Sequence, residues 1–344
     1  MSEEKKAKYI EGVGWRYDTD HTLLRRMYAH DYQSRSIYMI TLTLADRSQP
    51  LLGNLKWEGD KALLIPTLLG KSVIDEWHGL CRCYPQLEII RIQLMPEHLH
   101  VVLFVKERIP KPLGKLIGVV KNYSNKHYWK QLTEQGMLGP KGEQSPPSLF
   151  SENYQDMVLS RYGQLNAMIN YVENNPFRAL VKRRYPDMFK VVKSLEFKGM
   201  EFAAIGNRWL MQRPLRFQVR CHNNNTEMNH QLIAKQKEYF LKCGAHGAVI
   251  VSPCISAGEK EIARAALDEG LPLIVILENG FPPLYKPPGK YFEACSKGLL
   301  LMLAPWPYHT ERRVITRRQC LALNDMAKNI STEPWTKEME KSLL

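Results

Sequence analysis

The sequence predicts an α+β protein of two parts, a first domain built on an antiparallel sheet and a second, α/β domain with a parallel sheet. Three observations carry this. The chain has 344 residues, beyond the roughly 250 to 300 at which single cores stop growing and chains divide. In the first half, two β-rich runs at 87–94 and 98–105 are separated only by Met95-Pro96-Glu97, which is how a hairpin is written. In the second half, short apolar runs alternate with helical patterns, as expected of a parallel sheet covered by helices.

Taken in order, residues 36–44 read as a strand and 71–83 as an amphipathic helix. The hairpin follows, then a helix over 113–131 that carries Lys115, Lys121, Lys126 and Lys130. Residues 136–148, rich in Gly, Pro and Ser, read as an exposed excursion. Over 163–175, Leu165, Met168, Ile169 and Val172 recur at helical spacing, and Pro176 marks the break. A composition change near 206–214 places the boundary at about 198–213 and the domains at 1–199 and 200–344. Beyond it, strands are expected at 215–221, 248–252, 271–278 and 298–304, with helices at 227–242 and 259–269.

A hydrophobic fraction of 44% with 24% charged residues is that of a folded globular chain and excludes a disordered or fibrous class. No apolar run approaches the roughly 20 residues of a membrane span, and the opening residues lack an apolar segment, so a cytoplasmic protein is expected. The seven cysteines are odd in number and lack a C-x-x-C pair, which suits a reducing compartment. The net charge of +13 favours a polyanionic partner, nucleic acid foremost. Both parts are basic, with 29 Lys and Arg against 21 Asp and Glu up to Met200, and 19 against 14 beyond it.

On a strand, positions i and i+2 share a face, so His98 and His100 project together. Two imidazoles on one rigid face make half a metal site, although an arbitrary H-x-H is more often a pair of ordinary sheet histidines. The segment MPEHLHVVLF, Met95 to Phe104, resembles the signature of tyrosine transposases of the HUH superfamily, in particular those associated with repeated extragenic palindromes. The run Asn170-Tyr171-Val172-Glu173-Asn174-Asn175-Pro176 resembles the second half of that signature.

The resemblance, which covers roughly 32–189, implies a ferredoxin-like HUH domain with Tyr171 as nucleophile. Asn175 would complete a metal site with His98 and His100, and Glu173 is a weaker ligand candidate. Tyr171 and Asn175 are spaced to share one helical face. His and amide ligands suit Mg²⁺ or Mn²⁺. The implied activity is nicking and joining of single-stranded or hairpin DNA through a 5′-phosphotyrosine. Tyr154 and Tyr162 compete for the nucleophile's role, in a segment that also resembles the family. Lys115, Lys121 and Lys126, with interleaved aromatics, suit backbone neutralisation, and Arg178, Lys182 and Arg183 suit a clamp on the cleaved strand. Solvated charge is the bland alternative for both groups. A non-cleaving hairpin-binding regulator is one competing function, a nucleotide-sensing C-terminal domain on an inactive transposase scaffold is another, and a homodimer is compatible with each.

The stretch from Gly247 onward, GAVIVSPCISAGEKEIARAALDEG, together with Glu311 to Lys328, resembles the Rossmann-like domain of the DNA-processing (Smf) family. It departs from that family where SPCISAGE replaces a Gly-rich loop and HNNN (222–225) replaces Gly-Ser-Arg. The resemblance implies weak nucleotide or phosphate contacts at Ser252, Ser256 and Gly258, at a strand-to-helix loop, with a plain βα connection as the alternative.

Overall fold

The computed structural model describes residues 8–10, 14–16, 27, 30–138, 146–221, 227–282, 284–311, 313–336 and 338–339. The HNNN segment and most of the Gly/Pro-rich excursion lie outside them. The chain divides into two compact units, Met1–Leu180 and Val181–Leu344. Among the described residues no helix is long and apolar enough to cross a membrane.

In unit 1, β1 (Lys8–Ile10) pairs antiparallel with β2 (Gly14–Arg16). The main sheet begins with β3 (Ser36–Thr43), and a hairpin of β4 (Gly53–Glu58) and β5 (Lys61–Pro66) leads into α1 (Leu68–Cys83). The Thr67 side chain caps α1 by accepting from the Gly70 amide at 3.0 Å. Gly70 is required there, since a Cβ would stand 2.0 Å from the Leu52 carbonyl oxygen. After α1 come β6 (Leu87–Met95), β7 (His98–Val105), α2 (Leu113–Glu134) and β8 (Gln155–Val158). The four strands lie in the order β6-β7-β3-β8, every neighbour antiparallel, so the expected antiparallel sheet is present in a β-α-β-β-α-β arrangement.

Alternation along β7 decides what each face does. Leu99, Val101, Leu103 and Val105 turn into the main core, with Val73 and Trp77 of α1 and Leu116, Ile117 and Val120 of α2. The opposite face carries His98, His100 and Val102. There α3 (Gln164–Glu173) lays Val172 against Val102 and Met39, forming a small apolar cluster with Leu165 and Met168. The sheet is thus covered on both sides, and the histidines sit beside the smaller cluster.

The division between units falls inside α4 (Asn175–Arg184). Unit 2 continues with β9 (Val192–Phe197), β10 (Met200–Gly206), β11 (Arg216–Gln218), α5 (Glu227–Ala245) and β12 (Val249–Ser252). Then follow α6 (Ala257–Asp268), β13 (Leu273–Ile276), α7 (Gly289–Ser296), β14 (Leu300–Ala304) and α8 (Arg317–Ile330). The sheet order is β11-β12-β13-β14-β10-β9. Strands β11 to β14 are parallel, as their alternation with helices requires. The fully parallel expectation is corrected at one edge, where β10 runs antiparallel to β14 and β9 antiparallel to β10. Lys198 and Gly199, at φ 50° and 74°, make the tight turn between β9 and β10. The compositional boundary at 199/200 therefore falls between two paired strands.

Candidate active site

Pairing register sets the surroundings of the two histidines. His98 stands between Thr43 and Met95, and His100 between Thr41 and Gln93. The Nε2 atoms of His98 and His100 approach to 3.2 Å, with ring centroids 4.7 Å apart. Thr41 Oγ1 lies 2.8 Å from His100 Nδ1, and Glu97 Oε1 lies 3.4 Å from His98 Nδ1. Each ring is therefore held from its outer nitrogen and aims Nε2 at a common point, the arrangement by which outer partners orient metal-binding imidazoles. Burial, reinforced by the neighbouring His98, pushes His100 well below the usual imidazole range against the opposing pull of Glu97, so its ring is neutral at pH 7.

The neighbouring strand contains a β-bulge. Ile89 faces Leu103 and Arg91 faces Val102, so Ile90 is the extra residue. Leu87 and Ile89 before the bulge and Ile92 and Leu94 after it all point into the main core, while Ile90 joins the cluster under α3. A regular β6 would turn Arg91 and Gln93 into the core; the bulge brings both onto the histidine face. The signal was present as a slip in apolar phase, from odd positions Leu87 and Ile89 to even positions Ile92 and Leu94.

Helix α3 brings Tyr171 to the histidines. Its ring centroid is 5.8 Å from that of His100, inclined at 63°, and 41% of the residue remains exposed. Val172 fixes the rotation of the helix by burying its neighbouring side chain. Arg91 then meets Glu173, the last residue of α3, at 3.0 Å. Glu173 is thus an ion-pair partner in this arrangement.

Asn175 is placed differently from the expectation of a single helix. The helical assignment is interrupted at Asn174, and Asn175 opens α4 just before Pro176, which has no amide hydrogen to continue the ladder. Asn175 is 9% exposed and its Nδ2 has no hydrogen-bond partner. Among the described residues no group of three or more His, Cys, Asp and Glu side chains could hold a metal ion. The two imidazoles nonetheless suit one: two nitrogens each about 2.1 Å from an ion, at a right angle, stand about 3 Å apart, close to the 3.2 Å observed.

The other candidate residues separate by environment. Tyr162 is fully exposed, and Tyr154 packs against the main core. Lys115 and Lys126 are exposed on α2, Lys126 lying 4.4 Å over the Tyr123 ring. Lys121 is instead bound into the fold, donating at 2.6 Å to the carbonyls of both Ser151 and Glu152, and burial lowers its pKa. Arg178 and Lys182 are half-buried on α4, and Arg183 is exposed.

In unit 2, Ser252 is buried at the end of β12, with its Oγ accepting from the Cys254 amide at 3.2 Å. Ser256 caps α6, accepting from the Glu259 amide at 3.1 Å. The Glu259 carboxylate returns to the Ser256 and Ile255 amides at 3.0 and 2.8 Å, so the protein's own anion occupies the helix end. Gly258 serves packing, since a Cβ would meet Cys221 and Ile233 at 3.0 Å.

No family model and no curated protein matches the chain. Among solved structures it is similar to a REP-associated tyrosine transposase bound to a REP hairpin, at 14% identity over 44% of this chain and 73% of that one, with a TM-score of 0.32. A second is DNA processing protein A from Helicobacter pylori, studied for its single-stranded DNA binding, at 15% identity over 42% of this chain and 66% of that one, with a TM-score of 0.30. A third is a candidate transposase from Deinococcus radiodurans, at 14% identity over 43% of this chain and 97% of that one, with a TM-score of 0.27.

Proposed function

We propose that unit 1 is a ferredoxin-like HUH domain that nicks and rejoins single-stranded DNA at hairpin or palindromic targets, with Tyr171 as nucleophile. The observation that carries this reading is the convergence of His98 Nε2 and His100 Nε2 at 3.2 Å beside the exposed ring of Tyr171. A phenol with its ordinary pKa near 10 attacks phosphorus poorly at neutral pH. A bound Mg²⁺ or Mn²⁺ would supply the Lewis acidity that polarises the scissile phosphate.

The chain's own groups do the rest. His98 and His100 would hold the ion, with Thr41 and Glu97 orienting the rings, and Asn175 is the candidate third ligand. Tyr171 Oη forms a bond to phosphorus as the bond to the preceding O3′ breaks. The phenolic proton leaves to solvent, and the departing 3′-oxygen takes up a proton. The products are a 5′-phosphotyrosine and a free 3′-hydroxyl. Because the phosphodiester is exchanged for another ester, attack by a 3′-hydroxyl reseals a strand without a nucleotide cofactor. Exposed Lys115 and Lys126 would neutralise the DNA backbone, and Arg178, Lys182 and Arg183 would act on the cleaved strand.

Incubation of the full chain with 5′- and 3′-labelled single-stranded hairpin oligonucleotides and Mn²⁺ tests the reading. It should yield a covalent protein–DNA adduct on the 3′ fragment alone, abolished by a chelator. A chain that binds these oligonucleotides tightly, yet forms no adduct with Mn²⁺ or Mg²⁺, is a binding protein and the proposal fails.

A further inference from the structure

Unit 2 carries an exposed aromatic that neither its core nor the proposed chemistry uses. Trp209 is 71% exposed, whereas Trp57, Trp77, Trp129, Trp306 and Trp335 are buried or half-buried. It lies in a short 3₁₀ turn, Arg208–Gln212, between β10 and β11. Exposing an indole forgoes burial that a tryptophan ordinarily obtains, so the way the turn is held matters.

The turn is fixed on every side. Asn207 donates its amide to Leu300 O and its Nδ2 to Gly298 O, each at 2.8 Å. Its Oδ1 accepts from the Trp209 amide at 3.1 Å. Leu210 and Met211, 2% and 5% exposed, sink into the apolar layer with Ile274 and Leu301. Their burial leaves Trp209 pointing outward on a rigid base. Arg208 and Arg213 flank it in sequence, and Lys297 adjoins the Gly298 that Asn207 grips; all three are exposed. Residues 207–215 contain no Asp or Glu; the nearest acid along α7 is Glu293, one turn before Lys297.

We propose that this turn is a stacking platform for single-stranded nucleic acid, with Trp209 receiving the face of an unpaired base and Arg208, Arg213 and Lys297 its flanking phosphates. An aromatic face takes any base, and surrounding cations hold the backbone, which is the chemistry of sequence-tolerant strand binding. Charge complementarity selects a polyanion over an apolar protein partner. The inference concerns unit 2 and is independent of nicking by unit 1.

The test uses the full chain carrying His98→Ala, so that cleavage does not intervene, and a fluorescein-labelled oligothymidylate of about twenty nucleotides, longer than the roughly 4 to 16 nucleotides of such sites. Trp209→Ala should weaken binding roughly five- to 150-fold, the range of one lost base stack, while Trp209→Phe retains most of the affinity. Arg213→Gln should lower the slope of log affinity against log salt by about one. An abasic oligonucleotide of equal length should bind the parent and Trp209→Ala alike. Unchanged affinity in Trp209→Ala overturns the proposal, as does a change confined to oligomeric state, which would make the turn a protein contact.

Discussion

Arg91 of β6 meets Glu173 of α3 at 3.0 Å, tying the end of the helix that bears Tyr171 to the strand beside His100. A carboxylate at a helix C-terminus opposes the helix dipole, and Arg91 offsets that cost. The pair is partly exposed and contributes little to stability, about 0.2–1 kcal/mol. Its expected effect is on position. Arg91→Gln and Glu173→Gln should each slow adduct formation about tenfold, since small misplacements of a nucleophile are costly, with DNA affinity and melting temperature nearly unchanged. The exchange Arg91→Glu with Glu173→Arg should restore much of the rate. Single-turnover kinetics separate this from a folding defect; failure of the exchange to rescue removes the positioning role.

Replacing Tyr171 with Phe removes one oxygen and leaves Val172 packed on Val102 and Met39. Adduct formation should disappear while the melting profile is kept. Tyr162→Phe and Tyr154→Phe should retain the adduct. Mass spectrometry of the trapped peptide identifies the residue directly, and an adduct on Tyr162 or Tyr154 would move the nucleophile.

Thr41 holds His100 through Nδ1 at 2.8 Å. Thr41→Val keeps the shape and deletes the hydroxyl, and loss of such an outer partner costs roughly 10- to 100-fold in metal affinity. Titration with Mn²⁺, followed by electron paramagnetic resonance, should show that loss, and His98→Ala or His100→Ala a larger one. Oligonucleotide binding without metal should be largely spared in all three, because phosphate contacts dominate it.

Three of the four lysines of α2, Lys115, Lys121 and Lys126, should behave differently although they lie on one helix. Lys121→Met removes charge-assisted bonds to Ser151 O and Glu152 O and should destabilise by about 1.5–3 kcal/mol, visible in denaturant melts. Lys115→Gln and Lys126→Gln should leave stability alone and each reduce the salt slope of DNA binding by about one. Equal effects of all three on DNA affinity, with none on stability, would contradict the division.

Glu259 is 2% exposed, and burial raises its pKa although the Ser256, Ile255 and Cys221 amides and Arg220 pull it down. A folded pKa above the unfolded one favours the protonated form in the native state. The associated stability is present below the ordinary Glu value of 4.5 and is lost as pH rises through the raised folded value. Glu259→Gln mimics the protonated side chain. Its stability relative to the parent should therefore improve from pH 4 to pH 7, as followed by urea melts at each pH. A relative decline over that interval would mean that the amide bonds outweigh burial.

The histidine pair was readable because a strand repeats every two residues, so His98 and His100 must share a face wherever that strand lies. The buried partner face was equally plain in Leu99, Val101 and Leu103. Thr41 and Glu97 were not readable as partners, because register across β3 and the conformation of the Met95-Pro96-Glu97 turn are tertiary facts. Asn175 opens a new helix because the break marked by Pro176, which lacks a ladder donor, comes slightly before the proline and not at it. The antiparallel edge of unit 2 is not legible in the sequence because the hairpin over residues 192–206 turns at Lys198 and Gly199, a pair without the familiar Asn-Gly form.

That hairpin has a consequence for how the protein avoids self-association. Strand β14, Leu-Leu-Met-Leu-Ala, is apolar throughout and buried at every position; as a bare edge it would offer open backbone groups to another chain and seed aggregation. Strand β10 covers it, and β9, with Lys193, Ser194 and Glu196 exposed, supplies a polar selvage in its place. A fragment severed at 199/200 would discard the selvage and begin on the inner strand, whereas one beginning at Val181 would keep the sheet hemmed.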